Sequence, residues 1–469
     1  MSERAATDSW SDIYRARRNA IREVAAGGVI LWLGHLPQPR NYPDNAYPFR
    51  QNSHFLYYTG ISEPDLALLT YPEKDRDILY SHPVTMDDIV WSGPGRTRAD
   101  VAREAGIETV EDIAALGSQL AQARGEGLKI HYMPPYQASS VLKLGELFGI
   151  QPGAVRTGVS KDLVEGVVRQ RLVKEKVEIA EIEDALRVTD RMHRAAMVTV
   201  RPGRLEFEIA GAMQGVALAA GRQQAFTPIV TIHGEVLHNH SYDHVLEEGQ
   251  LLLNDSGVES PRFYASDITR TCPVSVRFTA AQAEIYETVL RAQQAAIDKI
   301  KPGVPYVDVH MHASCVIADG LRQMGLMKGD TADAVTAGAH ALFFPHGLGH
   351  MLGLDVHDME DLGDIVGYPI GQERSRQFGR NFLRLVRCLE PDFVLTVEPG
   401  IYFIPALMDK WEGESRHTEF ICYDKLKPFR NFGAIRIEDN VAVTAAGARV
   451  LGPGIPKSIR EVEAARLAG

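Results

Sequence analysis

The sequence predicts a two-domain chain: an α/β domain in the first half, then a domain of long helices and acid-bearing strands. Three observations predict it. At 469 residues the chain is long for one compact core. Its first half alternates short apolar runs with amphipathic stretches, the pattern of a sheet covered by helices. Beyond a charged helical stretch the character changes. Long helices there are separated by strands that carry aspartate and glutamate among leucine, isoleucine and valine.

The elements follow in order. "DIYRARRNAIREVA" has the spacing of an amphipathic helix, and "GVILWLG" reads as a buried strand. "ALLTYP" and "DILYSHPV" are short strands separated by turn residues. "RADVAREAGI" and "VEDIAALGSQLAQA" read as helices, and "LKIHYMP" as a further strand. "VVRQRLVKEKVEIAEIEDALRVTDRMHRAAMVTV" repeats its apolar positions at helical spacing and ends at "RPG". The boundary is placed there, giving domains 1–175 and 176–469. "LEFEIAGAMQGVALAAG" and "AAQAEIYETVLRAQQAAIDKI" are helices of the second domain, where no internal repeat stands out. "GPGRTRADVARE" lacks the spacing of a phosphate loop and reads as a turn before a helix.

Composition excludes several classes. Apolar residues make up 45% and charged residues 24%, as in an ordinary globular protein. A net charge of −11 makes the chain a poor partner for nucleic acid or an anionic membrane. Cys272, Cys315, Cys388 and Cys422 form no CxxC pair, which suits a reduced compartment and argues against a cysteine zinc cluster. The N-terminus has no apolar signal region, and "GGVILWLG" is too short to span a bilayer. A cytoplasmic location is expected.

Four segments carry chemistry. In "LLLNDSGVESPRFYASDITRTCPVS", Asp255 and Asp267 flank a turn with Gly257 and Pro261, and in a hairpin both can face one side. Two carboxylates buried together repel unless a cation neutralises them. "FFPHGLGHMLGLDVHDME" crowds His346, His350 and His357 between Gly347, Gly349 and Gly353, which disfavour a helix and allow close backbone approach. Glu398 ends the apolar strand of "DFVLTVEPGIYFI". In "NFGAIRIEDNVAVT", Arg436 and Glu438 alternate with Ile435 and Ile437 and so share a face. Four carboxylates with at least one imidazole suit hard or borderline divalent ions such as manganese, cobalt or zinc. That is more than one ion needs, and two ions sharing carboxylates and a water fit the count.

"NDSG…SDITRT", "HGLGHMLGLDVHD", "TVEPGIYF" and "IRIEDN", in that order, resemble the motif set of the pita-bread metallopeptidases. Within them the chain is similar to the proline-specific branch, prolidase (Xaa-Pro dipeptidase) and aminopeptidase P. "YPFRQNSHFLYYTGISEPD" resembles the N-terminal domain of that branch. The resemblance implies an α/β N-terminal domain of the creatinase/aminopeptidase P type and an α+β pita-bread catalytic domain.

It also implies two divalent ions, manganese first, held by Asp255, Asp267, His350, Glu398 and Glu438, with Asp267 and Glu438 bridging. Glu398 would also move a proton, His357 would stabilise the oxyanion, and Arg436 would orient Glu438 or the attacking water. His238, His346 and His357 would line the substrate; His240 has no assigned role. The insertion "GYPIGQERSRQFGRNFLRLVRCLEP" places Arg384 where prolidases grip a dipeptide's C-terminal carboxylate, a task suited to a planar guanidinium. The implied reaction is hydrolysis of the bond preceding proline in Xaa-Pro dipeptides. Aminopeptidase P action on longer peptides is the alternative, and an inactive binding scaffold ranks below both. The implied assembly is a homodimer or a dimer of dimers.

Two departures from the family pattern are visible. Asp255 and Asp267 lie twelve positions apart, one more than usual, and "ESPR" in the turn is the natural place for the extra residue. "TPIVTIHGEVLH" is shorter than usual and lacks the "GxGxN" pattern, which affects the substrate pocket more than the metal site.

Overall fold

The computed structural model describes residues 9–467. Residues 1–8, the start of the segment read above for a signal region, lie outside the described residues. The chain divides into two compact units. One runs to Arg171 and takes in Asp361–Gly363; the other comprises Leu172–Glu360 and the residues from Asp364 onward. Among the described residues no helix is long and apolar enough to cross a membrane.

The first unit is built on five strands: β1 (Gly28–Leu33), β2 (Ala67–Tyr71), β3 (Arg76–Ser81), β4 (Thr109–Asp112) and β5 (Lys129–Tyr132). Their order is β4-β3-β2-β1-β5. The central pairs β1–β2 and β2–β3 are antiparallel and the outer pairs parallel, so the sheet is mixed. β1 and β2 are apolar and buried along nearly their whole length, as strands covered on both faces must be. Leu116 and Leu120 of the helix Leu116–Gly125 pack on Val29, Leu31, Leu69 and Tyr80.

"VEDIAALGSQLAQA" divides where one helix is expected. Its first residues pair with β3 as β4. Asp112 then caps a short 3-10 turn by accepting from the Ala114 amide at 2.9 Å, and the α-helix starts only at Leu116. The turn before "RADVARE" is a helix start, with Thr97 Oγ1 accepting from the Asp100 amide at 3.1 Å.

The charged stretch is also two helices, Lys161–Leu172 and Lys176–Thr199. Lys174 breaks it, because its amide is committed to Asp392 O at 2.9 Å and its ammonium to Asp358 Oδ2 at 3.0 Å. Glu175 then caps the second helix, its amide donating to Glu178 Oε2 at 2.9 Å.

The second unit contains an internal repeat that sequence inspection misses. Helices Lys176–Thr199 and Glu206–Ala219 flank one turn, and Ala280–Lys299 and Tyr306–Gln323 flank another. Each turn carries Pro-Gly, with Gly203 at φ 84° and Gly303 at φ 83°. Each glycine amide bonds a distant carbonyl, Leu246 O and Leu389 O, both at 2.8 Å. The shared feature is backbone geometry, with few common side chains.

Between the hairpins lie short strands in three sheets. β6 (Ile229–Thr231), β7 (Leu251–Ser256) and β8 (Ile268–Pro273) form one, in that order. β9 (Val394–Val397) pairs with β12 (Asp439–Val443), which also pairs with β13 (Ala448–Val450). β10 (Gly400–Tyr402) pairs with β11 (Ala434–Arg436). The strand expected through Arg436 and Glu438 is therefore interrupted. Glu438 directs its amide to Thr269 O at 3.0 Å, across to another sheet.

Candidate active site

Five ionisable side chains converge from these strands. Register sets Asp255 of β7 opposite Thr269 of β8, with Asp267 two residues before Thr269. The two aspartates are thus diagonal neighbours on one face. Asp267 is pinned through its backbone, its amide donating to Asn440 Oδ1 at 3.0 Å. The stretch "ESPR" lies in the loop between β7 and β8, where Glu259 and Ala265 pair and Phe263 takes φ 69°.

His350 enters on an irregular path held against β9. Its amide donates to Thr396 Oγ1 at 3.1 Å, and Thr396 N returns a bond to His350 O at 3.0 Å. Gly349 is required there, since a Cβ would lie 2.1 Å from Thr396 O. His350 Nδ1 lies 3.0 Å from Met351 O, so Nδ1 carries the proton and Nε2 presents its lone pair. That Nε2 is 3.4 Å from Asp267 Oδ2 and 3.6 Å from Glu398 Oε1. Glu438 completes the group. Ligand atoms of Asp267, His350 and Glu438 all lie within 4.8 Å of one another.

The electrostatics are those of a site built for cations. Burial is the largest cause that raises the Asp267 carboxyl well above its usual range, followed by the Asp255 charge. Burial, then Asp267 and Glu398, raise Glu438 in the same way. Burial lifts Glu398 to about 7, against the pull of His350 and Arg436. Asp255 Oδ1, Asp267 Oδ1 and Glu438 Oε1 are buried without a hydrogen-bond partner. Orphaned carboxylate oxygens beside a lone imidazole nitrogen are the donor set that divalent metal ions satisfy. The residues present therefore fit a metal centre.

Arg436 braces it. Nη2 donates to Asp255 Oδ2 at 2.5 Å, Nε to Thr269 Oγ1 at 3.0 Å, and Nη1 to the Tyr402 hydroxyl at 2.9 Å. Thr269 Oγ1 in turn donates to Glu438 Oε2 at 2.7 Å. Arg436 thus reaches Glu438 through a threonine, without touching it.

The substrate-side candidates fall in three settings. His346 has both ring nitrogens engaged: Nδ1 with Gly347 O and Nε2 with the Tyr402 hydroxyl, each at 2.8 Å. Burial, then Arg436, lowers its pKa to about 3, so the ring is neutral. His357 is partly exposed, with its ring 4.3 Å from that of His350. His238 is on the exposed rim, where burial, then Arg384 and Arg436, lower its basicity. His240 is exposed. Arg384 donates from Nε to Glu360 Oε1 at 2.9 Å, and Glu360 Oε2 lies 2.5 Å from His357 Nδ1. Sequence reasoning missed Tyr402, Thr269 and Glu360. The first two sit inside the quoted motifs "EPGIYF" and "SDITRT", but nothing in the sequence singles out Glu360.

The chain as a whole is similar to known proteins. Residues 180–445 match the model of metallopeptidase family M24, and residues 14–131 that of the aminopeptidase P N-terminal domain. The chain is 31% identical to the Xaa-Pro dipeptidase of Homo sapiens, across 96% of this chain and 90% of that one. It is 33% identical to a probable Xaa-Pro aminopeptidase of Fusarium vanettenii, across 92% of each. Among solved structures, a variant of Escherichia coli aminopeptidase P in complex with substrate superposes with a TM-score of 0.81 at 28% identity, covering 98% of this chain and 99% of that one.

Proposed function

The chain belongs to metallopeptidase family M24, and from that premise we propose that it hydrolyses the peptide bond preceding proline, with Xaa-Pro dipeptides as substrates. The observation that carries this reading is the buried group of Asp267, His350 and Glu438, with Asp255 and Glu398 beside it and three carboxylate oxygens unsatisfied. Asp255, Asp267, His350, Glu398 and Glu438 would hold two divalent ions. Oxygen-rich ligation with a single nitrogen favours manganese, with cobalt and zinc as substitutes. When bound, the ions acidify water and polarise the scissile carbonyl.

The chain's own residues supply the rest. Glu398 sits beside the metal-holding group, its Oε1 3.6 Å from His350 Nε2, where it can exchange a proton with the attacking water. It takes the proton of the attacking water at its carboxylate and passes it to the proline nitrogen. His357 faces the oxyanion developing on the tetrahedral intermediate. Arg436 orients Asp255 directly and Glu438 through Thr269. His238 on the rim and His346 beside Tyr402 shape the pocket. Arg384 grips the carboxylate of a substrate that ends one residue past the cut.

A second reading, aminopeptidase P action on longer peptides, is favoured by the similarity to solved aminopeptidase P structures. Hydrolysis of Ala-Pro beside Ala-Pro-Ala by manganese-loaded protein, with a chelated control, separates the two. Cleavage of the dipeptide alone, lost on chelation, supports the dipeptidase. Preference for the tripeptide assigns the second reading.

Assembly and location belong to the same proposal. The helix Met86–Ser92 buries none of its residues, and Met86, Val90 and Trp91 are 71%, 69% and 86% exposed. Apolar exposure of that kind supports a homodimer or a dimer of dimers. Four free cysteines suit a cytoplasmic location.

A further inference from the structure

Glu360 stands between two groups that the proposed reaction uses at different points of the substrate. Oε2 lies 2.5 Å from His357 Nδ1, and Oε1 accepts from Arg384 Nε at 2.9 Å. Each oxygen of one carboxylate therefore holds a different side chain.

The geometry has a consequence for each partner. An ionised carboxylate only accepts hydrogen bonds, so His357 Nδ1 carries a proton; the oxyanion contact then requires Nε2 to carry one too, and an anionic Glu360 favours that imidazolium form against the opposing effect of burial. The His357 hydrogen bond is the largest cause holding the Glu360 carboxyl at about 2, far below the usual range, so it is ionised throughout the neutral range. At Arg384, engagement of Nε leaves both terminal nitrogens to offer parallel N–H bonds to a second carboxylate. Glu360 thus orients the guanidinium fork without occupying it.

Stability does not account for the arrangement. The side chains of Glu360 and Arg384 are 52% and 35% exposed. An ion pair that exposed contributes little to folding. Its effect is on the positions of His357 and Arg384.

We propose that Glu360 is a positioning residue that sets His357 and Arg384 together, fixing the span between the scissile carbonyl and the substrate's terminal carboxylate. It thereby selects substrates that end one residue past the cut. This inference rests on the dipeptidase reading of Arg384.

The test uses the manganese-loaded full chain on Ala-Pro and on Ala-Pro-amide, which has no terminal carboxylate. Wild-type protein tests the reading: a lower KM for Ala-Pro than for the amide supports the clamp, and equal values overturn both clamp and inference. Given that preference, Glu360→Ala is expected to raise KM for Ala-Pro about tenfold, to leave KM for the amide within about twofold, and to lower kcat about fivefold on both. Glu360→Gln keeps an acceptor for Arg384 but removes the anionic partner of His357. Its KM should stay near wild type while kcat falls as in the alanine variant. In Glu360→Ala/Arg384→Ala, KM for Ala-Pro should match that of Arg384→Ala alone, because the two act on one contact. A KM that rises equally on both substrates, a kcat unchanged in both Glu360 variants, or additive KM effects in the double variant overturns the inference.

Discussion

Arg436 Nη2 donates to Asp255 Oδ2 at 2.5 Å, and both side chains are largely buried. The same guanidinium binds Tyr402 and Thr269, so three partners on three strands depend on one planar fork. A lysine ammonium on a flexible stem cannot reach all three. Arg436→Lys should lose two charge-assisted bonds, about 3 kcal/mol together. Expressed in the transition state, that is a fall of about 100-fold in kcat/KM. Steady-state kinetics on Ala-Pro checks it, with circular dichroism to confirm folding. Activity within threefold of wild type would show that Arg436 does not brace the centre.

The same crowding of charge predicts how the metal-free protein responds to pH. Asp267, Glu398 and Glu438 all have folded pKa values above their unfolded ones. Such acids favour the fold below the unfolded value, and that contribution is lost as pH rises through the folded one. Buried histidines act oppositely. His193 and His346 are lowered to about 3 and His340 to about 4, in each case mainly by burial. Their contribution is fully present above the unfolded histidine value of about 6.5 and is lost on acidification. Metal-free protein should therefore lose Tm at acid pH, as the buried histidines charge, and again on the alkaline side of neutrality, as Asp267 and Glu438 ionise within the fold. Divalent metal added at the alkaline end should restore it. Differential scanning calorimetry across pH decides, and a metal-free Tm that climbs steadily through the alkaline window would contradict the account.

Glu438→Gln separates stability from function. Neutralising Glu438 removes one of several mutually repelling carboxylates while keeping an acceptor for Thr269 Oγ1. Without metal, this variant should melt above wild type at alkaline pH. With metal, it should carry fewer ions per chain and lose activity by about 1,000-fold or more. Elemental analysis and calorimetry give both numbers. A variant destabilised without metal, or one with full metal occupancy and rate, would remove Glu438 from the ligand set.

How much of this is legible in the sequence depends on whether a role is local. Asp255, Asp267 and Glu398 stand out because acids in apolar strands demand a reason, and period-two alternation marks their faces. His350 stands apart from His346 and His357 by resemblance, and the structure adds its Nε2 beside Asp267 and Glu398. Tyr402 and Thr269 are silent in the sequence because their partners lie on segments remote in the chain, and Glu360 because an acid three residues after a histidine does not announce that it also meets Arg384. The break between β11 and β12 is equally silent. Alternation through Arg436 and Glu438 reads the same whether or not the ladder is continuous, and the interruption comes from Glu438 pairing with Thr269 of another sheet. The paired Pro-Gly turns at Gly203 and Gly303 escape notice because backbone conformation, more than residue identity, is repeated.

Lys174 and Asp358 give the last prediction. Their ion pair spans 3.0 Å with both side chains 1% exposed. Asp358 directly follows His357 and also accepts from the Asp355 amide at 3.3 Å, so the pair anchors the path that carries His357. Removing one member of a buried pair leaves a charge without its main counter-ion, at a cost of about 3–5 kcal/mol. Lys174→Met should lower stability by that order, whereas Lys174→Met/Asp358→Asn should recover much of it, since both charges of the pair are then gone. The two variants also divide stability from catalysis. If the pair only stabilises the fold, the double variant regains kcat with Tm. If it positions His357, the double variant regains Tm while kcat on Ala-Pro stays low, because the side-chain amide that replaces the carboxylate has no cation to hold it in place. The second pattern is the expected one, and recovery of both together would confine Lys174 and Asp358 to folding.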